Sequence, residues 1–292
     1  MPGAKTLNVI GCGRVGRTLC RLWHAEGVFR IGSVLNRSPE SARKAVEFIG
    51  AGTPVEHYSR LEPADAVMIT TPDEVIADCC RRLCEAPEPG PGRVAFHCSG
   101  SLASGVLEPA RRRGAAVASA HPLRSFADPA LAVHAFAGTP AAVEGDAAAC
   151  ALLEDALARL GALVFPIDPE AKTLYHAATV AISNYLVALC EVALRCLEKS
   201  GIDRPTATRM IGPILGGTVE NVLELGPVRA LTGPIARGEL SVVERHRRAL
   251  GEWDKNLEAV YRSLGLVAVE LAAAQGHAPP DALAAIRRAL ET

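Results

Sequence analysis

The chain has 292 residues, of which 49% are hydrophobic and 22% are charged, and its formal net charge is -1. This composition is typical of a globular protein and excludes a mostly disordered chain. Proteins that bind nucleic acid or anionic membranes usually carry an excess of basic residues, whereas here 31 Lys and Arg are balanced by 32 Asp and Glu. Neither partner is therefore expected, and the length favours two domains of about 150 residues each.

Apolar segments alternate with helical patterns along roughly the first 120 residues. This alternation is typical of an α/β fold with a doubly wound, mostly parallel sheet that has helices on both faces. The predicted strands are 6–11, 29–35, 66–70, 93–98 and 115–119, the predicted helices are 16–26, 39–49, 74–84 and 102–113, and residues 86–92 are a predicted turn.

The pattern changes near Pro166, where long helical patterns replace the strands. We therefore predict a domain of residues 1–165 that contains the sheet and an all-helical domain of residues 166–292. The predicted helices of the second domain are 170–199, 205–224, 239–263, 265–275 and 279–290.

The carboxyl ends of the five predicted strands carry small, polar or turn residues. A ligand of such a sheet binds beyond these ends, so they are candidates for one shared site. The end residues are Gly11, Cys12 and Gly13; Asn36, Arg37 and Ser38; Thr70, Thr71 and Pro72; Ser99, Gly100 and Ser101; and His121 and Pro122.

A glycine motif, GxGxxG, follows the first predicted strand and opens the first predicted helix. Gly11 allows the tight turn, Gly13 lets a pyrophosphate approach the backbone, and Gly16 lets the helix pack on the strand. Arg14 and Val15 complete the loop. The context predicts dinucleotide binding, and the alternative is a tight turn that holds no cofactor.

The end of the second predicted strand indicates which dinucleotide is bound. An NAD site usually has an acidic residue there, but this chain has Asn36, followed by Arg37 and Ser38. A guanidinium and a hydroxyl can bind a 2′-phosphate, so we predict NADP(H) rather than NAD(H). We expect further cofactor contacts from Thr70, Thr71, Pro72 and Ser99.

The predicted helix over 170–194 carries a polar stripe on an otherwise apolar surface. His176, Thr179 and Ser183 lie within about 40° of Lys172 on a helical wheel, and Asn184 lies about 120° away from it. Lys172 and His176 are candidate proton donors for hydride transfer. Thr179, Ser183 and Asn184 are candidate substrate ligands. The alternative is a hydrated seam without catalytic function.

Four further residues are candidates outside this stripe. His121 lies at a predicted strand end and is a third candidate for catalysis. Thr232 and Arg237 lie in a turn-rich segment between long helices, where Arg237 could bind a substrate carboxylate, and His246 lies on the helix that follows. The alternative for this segment is an inter-helix loop with a capping arginine.

Cysteine usage and apolar patterning give further expectations. The nine scattered cysteines favour reduced thiols and a cytoplasmic protein, and we predict no metal site because Cys80 and Cys84 have no matching ligands. The most apolar stretch, 177–194, contains Ser183, Asn184 and Glu191, so a buried helix is favoured over a membrane span. Its apolar surface predicts a homodimer through the helical domain.

Several segments together resemble the Rossmann-like proteins with a DUF2520 C-terminal domain. The segments are 11–16, 71–73, 97–102, 118–126, 175–185 and 231–239. The layout is similar to that of pyrroline-5-carboxylate reductases, ketopantoate reductases, and prephenate and β-hydroxyacid dehydrogenases. The resemblance implies an NADP-binding Rossmann domain, a helical substrate and dimerisation domain, and an NADP-dependent oxidoreductase.

The resemblance carries over unevenly to single residues. Lys172 matches the lysine of the β-hydroxyacid dehydrogenases, but His176 stands where those enzymes have asparagine. His121 and Pro122 are similar to the His-Pro of prephenate dehydrogenases, and Glu239 follows the Arg-Gly pair as the family pattern requires. The expected reaction is hydride transfer on a small oxo, hydroxy or imino acid. The alternatives are an NADP(H)-binding sensor without catalysis and a structural protein with an empty glycine loop.

Overall fold

The computed structural model describes residues 3–85 and 89–292. Residues 86–88, which belong to the predicted turn 86–92, lie outside the described residues. The chain divides into two compact units, Met1–Asn184 and Tyr185–Thr292.

The first unit contains an eight-stranded sheet in the order β3-β2-β1-β4-β5-β6-β7-β8. All neighbouring strands are parallel except β6 and β7, which are antiparallel, so the predicted doubly wound and mostly parallel sheet is confirmed. The strands are β1 Lys5–Ile10, β2 Phe29–Leu35, β3 Thr53–Val55, β4 Ala66–Ile69, β5 Val94–His97, β6 Ala116–Pro122, β7 Pro140–Gly145 and β8 Leu163–Pro166.

Seven helices belong to this unit. The predicted start of α2 is confirmed, because Ser38 caps it by accepting a hydrogen bond from the backbone N–H of Ser41. The predicted helix 102–113 is instead a 3-10 turn followed by a short α-helix that has Pro109 in its first turn. The helices are α1 Arg14–Ala25, α2 Pro39–Ile49, α3 Asp73–Glu85, α4 Glu108–Arg112, α5 Pro129–His134, α6 Ala147–Ala158 and α7 Lys172–Ile182.

Alternate strand residues face two separate hydrophobic cores, because successive side chains of a strand point to opposite faces of the sheet. On one face, Met68 and Phe96 belong to a core that includes Trp23 of α1. On the other face, Val67 and Ala95 belong to a core that includes residues of α3 and α4. Burial on both faces leaves the edge of the sheet at the carboxyl ends of its strands as the place where polar side chains gather.

The predicted domain boundary after residue 165 coincides with the end of β8, the last strand. The compact unit nevertheless continues to Asn184. The reason is that α7 is anchored to the sheet by Lys172, whose side chain is buried among residues of this unit. The roles assigned to the two predicted domains stay predictions.

The second unit is helical, as predicted. One predicted break is wrong, because the chain is interrupted at Asp254 and not near residue 264. Asp254 has an extended backbone and caps the following helix by accepting hydrogen bonds from Asn256 and Leu257. The helices are α8 Asn184–Lys199, α9 Arg204–Ala230, α10 Leu240–Trp253, α11 Lys255–Gln275 and α12 Pro280–Glu291.

The expected buried helix over 177–194 is also wrong. The helical pattern is interrupted at Ser183, and the side chains of Ile182 and Val187 are 75% and 71% exposed. Lys172 is the buried residue of α7 and Leu194 that of α8. By length and apolar composition alone, the helical segment Pro169–Lys199 could cross a membrane, which by itself is weak evidence for a span.

Candidate functional site

The glycine loop is locked against the end of β4. Gly11 has a φ of 77°, and a Cβ there would lie 2.2 Å from Cγ2 of Thr71. A Cβ on Gly16 would lie 2.6 Å from Oγ1 of Thr70, which also donates a hydrogen bond to the carbonyl of Gly11 at 2.9 Å. The structure therefore brings these four predicted cofactor residues together, and both glycines are required by close contacts.

The start of α1 fits a bound pyrophosphate. Gly13 precedes the helix and offers no capping side chain to its first N–H groups. A Cβ on Gly13 would have a single neighbour within 4 Å, the carbonyl of Gly11 at 3.8 Å, so the space in front of it is open. The hydroxyl of Thr71 is buried without a hydrogen-bond partner in the described structure. An open backbone cradle beside an unsatisfied hydroxyl suits the phosphates of a dinucleotide.

The three predicted cofactor residues after β2 have different environments in the structure. The side-chain oxygen of Asn36 accepts a hydrogen bond from the backbone N–H of Cys12 at 2.6 Å, so Asn36 braces the glycine loop. Ser38 caps α2. Arg37 is exposed, with no ion-pair partner among residues 3–85 and 89–292. Arg37 is therefore the residue of this group that is best placed to bind a 2′-phosphate.

A cluster of hydroxyls and a carboxylate lies at the ends of β4 and β5. The carboxylate of Asp73 accepts hydrogen bonds from the hydroxyls of Ser99 and Ser101, at 2.8 and 2.6 Å. The Ser99 hydroxyl in turn accepts from the backbone N–H groups of Ser101 and Leu102. This network holds the loop after β5 in place. Asp73 was missed in the sequence prediction, although it directly follows two predicted site residues.

Next to this loop, at the end of β6, His121 meets two side chains of α7. Nδ1 of His121 lies 3.1 Å from the hydroxyl of Tyr175, and the ring centroids of His121 and His176 are 5.8 Å apart. A Cβ on Gly100 would lie 2.4 Å from the ring of His176 and 2.8 Å from that of His121, so only glycine fits there. The structure thus brings together the two predicted histidines and adds Tyr175, which is adjacent in sequence to His176.

Burial keeps both members of the His121–Tyr175 pair neutral. Desolvation, with the nearby charge of Lys172, lowers the pKa of His121 to about 4. Desolvation raises the pKa of Tyr175 to about 12. At neutral pH the pair can therefore donate and accept hydrogen bonds without carrying a charge.

Lys172, the first residue of the same helix α7, is buried and does not reach the surface. Its side chain is 1% exposed, and its ammonium donates to the carbonyl of Ser99 at 3.1 Å and to the hydroxyl of Ser119 at 2.6 Å. Glu144 lies 3.8 Å from the ammonium and accepts two hydrogen bonds from Ser104. Burial lowers the pKa of Lys172. With its donors directed to protein acceptors, Lys172 is suited to position α7 rather than to touch a substrate.

The other polar residues of the α7 stripe bond mainly to their own helix. The hydroxyl of Thr179 donates to the carbonyl of His176, and the hydroxyl of Ser183 donates to the carbonyl of Thr179. Ser183 also donates to Asn184, and both side chains are exposed. Their predicted role as substrate ligands stays a prediction.

Three predicted substrate residues belong to the second unit. The guanidinium of Arg237 donates two hydrogen bonds to the carboxylate of Glu239, at 2.8 and 3.0 Å. Nδ1 of His246 lies 3.1 Å from the hydroxyl of Tyr261. Thr232 and Arg237 line a cavity of this unit. Their contact with a substrate stays a prediction.

In the part of the chain that the structure describes, no group of three or more His, Cys, Asp or Glu side chains could hold a metal ion. The fold and the glycine cradle define an α/β dinucleotide-binding architecture that is followed by a helical second unit.

Family matches agree with this class. Residues 6–91 match a family described as NADP oxidoreductase, coenzyme F420-dependent, and residues 139–268 match DUF2520, a domain of unknown function. The predicted resemblance to Rossmann-like proteins with a DUF2520 domain is therefore confirmed. The first match agrees with the predicted cofactor, NADP(H), and with the oxidoreductase class.

Solved structures share the fold over nearly the whole chain. Protein TM1727 from Thermotoga maritima is 28% identical, with a TM-score of 0.71 over 92% of this chain and 99% of that one. BF3122 from Bacteroides fragilis, a candidate NADP oxidoreductase, is 22% identical, with a TM-score of 0.74 over 92% and 98%. A reductive aminase from Aspergillus terreus, solved with NADPH4, cyclohexanone and allyl amine, is 17% identical, with a TM-score of 0.61 over 99% and 93%. No curated protein matches the chain.

Proposed function

We propose that this protein is an NADP(H)-dependent oxidoreductase that acts on the C–O or C–N bond of a small oxo, hydroxy or imino acid, with His121 and Tyr175 as its proton-handling pair. The observation that carries the proposal is the 3.1 Å contact between these two side chains. It lies at the same edge of the sheet as the glycine loop, because β1, β4, β5 and β6 are parallel neighbours.

The cofactor would be held by residues from the ends of several strands. Gly11, Gly13 and Gly16 form the cradle for its pyrophosphate, and the exposed Arg37 is available for its 2′-phosphate. When bound, NADP(H) supplies or accepts the hydride. The Bacteroides fragilis protein and the Aspergillus terreus enzyme, which share this fold, support a cofactor of this kind.

The chain's own residues would manage the proton. Tyr175 and His121 are both neutral near pH 7. Tyr175 would donate a hydrogen bond and then its proton to the carbonyl or imine that receives the hydride, and His121 would pass a proton from solvent back to the Tyr175 oxygen. His176 lies beside His121, and its ring nitrogens have no hydrogen-bond partner among the described residues, which leaves them available to a ligand. Lys172 and Glu144 would position α7, on which both Tyr175 and His176 lie.

Calorimetric titration of the full-length protein with NADPH and with NADH tests the cofactor part. We expect tighter binding of NADPH, and a loss of about tenfold in NADPH affinity when Arg37→Gln removes the guanidinium. Arg60→Gln, at another exposed position of the first unit, is the matched control and should bind NADPH as the wild type does. Equal binding of NADPH and NADH would contradict the assignment of Arg37.

A panel of oxo and imino acids with saturating NADPH then tests the chemistry. Tyr175→Phe keeps the ring and should lower turnover by about 100-fold or more without changing the affinity for NADPH. NADPH binding without turnover on any substrate would favour the alternative of a sensor that binds NADP(H). Binding of neither nucleotide would contradict both.

We also propose that the protein is a homodimer through its helical unit. Leu194 and Ala207 are the buried residues of α8 and α9. The helical segment α9, which is kinked at Gly226, gains little stabilisation from its own chain with so little burial. A second copy presents the same apolar face and can cover it symmetrically. The exposed large apolar residues of this unit are Tyr185, Val187, Leu189, Met210, Ile214, Val219, Val222, Leu223, Leu225, Val260, Leu264 and Val267.

A further inference from the structure

We propose that the second unit contains a binding site for a small anion that also carries a hydrogen-bond donor, such as a hydroxycarboxylate or a hydroxylated phosphate ester. This inference goes beyond the proposed oxidoreductase function and does not depend on it. The site is a cavity of about 560 Å³ between the end of α9, the segment after it and the end of α11. Its polar and glycine lining is Arg229, Thr232, Gly233, Arg237, Gln275 and His277.

The lining carries three basic side chains and no acidic one. Nε of Arg229 donates to the carbonyl of Leu225, and its two terminal nitrogens have no partner in the described structure. Arg237 uses Nε and one terminal nitrogen for Glu239, which leaves its other terminal nitrogen available. Both arginines line the same cavity, and guanidinium N–H groups are the donors that suit a carboxylate or a phosphate.

Gln275 adds a requirement for a donor on the ligand. Its side-chain nitrogen donates to the carbonyl of Leu231 at 3.0 Å, which fixes the orientation of the amide. The amide oxygen is buried and has no partner in the described structure. A buried acceptor without a donor costs free energy unless a ligand or a water supplies one. A hydroxyl on the bound anion would satisfy it.

The backbone of the cavity is held rigidly. Ile235 is buried in the core of the second unit and Ala236 is also buried, and the backbone N–H groups of Arg237 and Glu239 donate turn hydrogen bonds to the carbonyls of Gly233 and Pro234. Gly233 has a φ of 94°, and a Cβ there would meet nothing within 4 Å, so the space before it is open. The basic groups are therefore carried on a preformed segment, and binding requires little ordering of the backbone.

Four probes test the site in the full-length protein: acetate, lactate, inorganic phosphate and glycerol 3-phosphate, titrated calorimetrically at constant ionic strength. Lactate should bind about fivefold more tightly than acetate, or glycerol 3-phosphate more tightly than phosphate, because only the hydroxylated probe donates to Gln275. The pair that binds more tightly identifies the anion as carboxylate or phosphate. No binding of any probe at about 10 mM would overturn the proposal.

Variants assign the binding to this cavity. Arg229→Gln should weaken the binding of the tightest probe by about tenfold. Gln275→Met should make the hydroxylated probe bind no more tightly than its counterpart without a hydroxyl. Arg209→Gln, an exposed position on the same helix, is the matched control and should bind as the wild type does. Because phosphates also suit the glycine loop, Arg37→Gln is tested in parallel. Loss of binding in Arg37→Gln with full binding in Arg229→Gln would overturn the proposal.

Discussion

Two helical regions of this protein use polar and apolar side chains in opposite ways. In α7, the charged side chain of Lys172 is fully buried against protein, while Leu174 and Ile182 are 78% and 75% exposed. In α8 and α9, one buried residue each anchors the helix, and the exposed surface is rich in apolar side chains. The first region is stabilised by a satisfied polar network within the chain, whereas the second leaves apolar surface for a partner.

The contrast shows that burial here does not follow hydrophobicity alone. The α7 network costs desolvation of two charges, and this cost is offset in part because Ser104 donates a hydrogen bond to Glu144 while Ser99 and Ser119 accept hydrogen bonds from Lys172. Such a network specifies one arrangement of the helix, which a uniformly apolar contact would not. The apolar face of α8 and α9 is non-directional by comparison and suits association between copies.

The largest effect that we expect is on stability, from Lys172→Ala. Removing the ammonium leaves Glu144 buried without a counter-charge and should lower the free energy of unfolding by about 3–5 kcal/mol, measured by urea denaturation. Lys44→Ala removes an exposed lysine that pairs with Glu40, and it should change stability by less than about 1 kcal/mol. If the two variants were equally stable, the buried network would not hold α7.

The second effect is acid destabilisation through buried histidines. Burial lowers the pKa of His97 to about 4, below that of the unfolded chain. The unfolded state therefore binds more protons between about pH 6.5 and 4, so stability falls as the pH drops through this range, by about 3 kcal/mol for His97 once it is complete.

Urea denaturation at pH 7 and pH 4.5 measures this loss. His97→Gln should show a smaller fall in stability between the two pH values than the wild type. His24→Gln, at an exposed position, should show the same fall as the wild type. An identical pH dependence in all three proteins would contradict the role of His97.

The third effect concerns the apolar face of the second unit. Leu223 is 81% exposed in the single chain, so Leu223→Asp should leave the fold intact, as measured by circular dichroism. In a dimer the same change should weaken association by about 2 kcal/mol per buried leucine, and light scattering should show a shift from dimer to monomer. Leu131→Asp is the control, because Leu131 lies on α5 of the first unit and is 70% exposed.

A monomer mass for the wild type at micromolar concentration would contradict the homodimer. Flotation with lipid vesicles then separates a second possibility, because the segment Pro169–Lys199 is apolar enough to cross a membrane. Co-flotation of the wild type would assign the apolar face to lipid instead of a second copy.

The smallest effect separates cofactor binding from folding at the glycine loop. Gly13→Ala meets no close protein neighbour and should leave stability unchanged, but its methyl group would occupy the open cradle and weaken NADPH binding by about tenfold. Gly11→Ala clashes with Thr71 and should lower stability as well, measured by thermal unfolding. Unchanged NADPH affinity in Gly13→Ala would contradict the proposed cradle.

Local patterns were sufficient for the first three predicted pairs of strand and helix, although the short strand β3 was not predicted. The bounds of β2 and α2 agree with the prediction, because strand and helix periodicity differ clearly there and Ser38 and Pro39 mark the helix start. Residues 129–166 form β7, β8, α5 and α6, for which no element was predicted. Their short, alanine-rich segments carry little periodicity, and pairing with β6 is what makes β7 a strand.

The candidate site shows the same division. The sequence alone determined the glycine motif, the absence of an acidic residue after β2, and the polar residues at the strand ends, because each depends on neighbours within a few positions. Only the tertiary structure decided that Lys172 is buried against Glu144, that Tyr175 meets His121, and that Asp73 binds Ser99 and Ser101. These contacts join residues that are distant in sequence, and hydrogen bonding and burial depend on where the sheet brings them together.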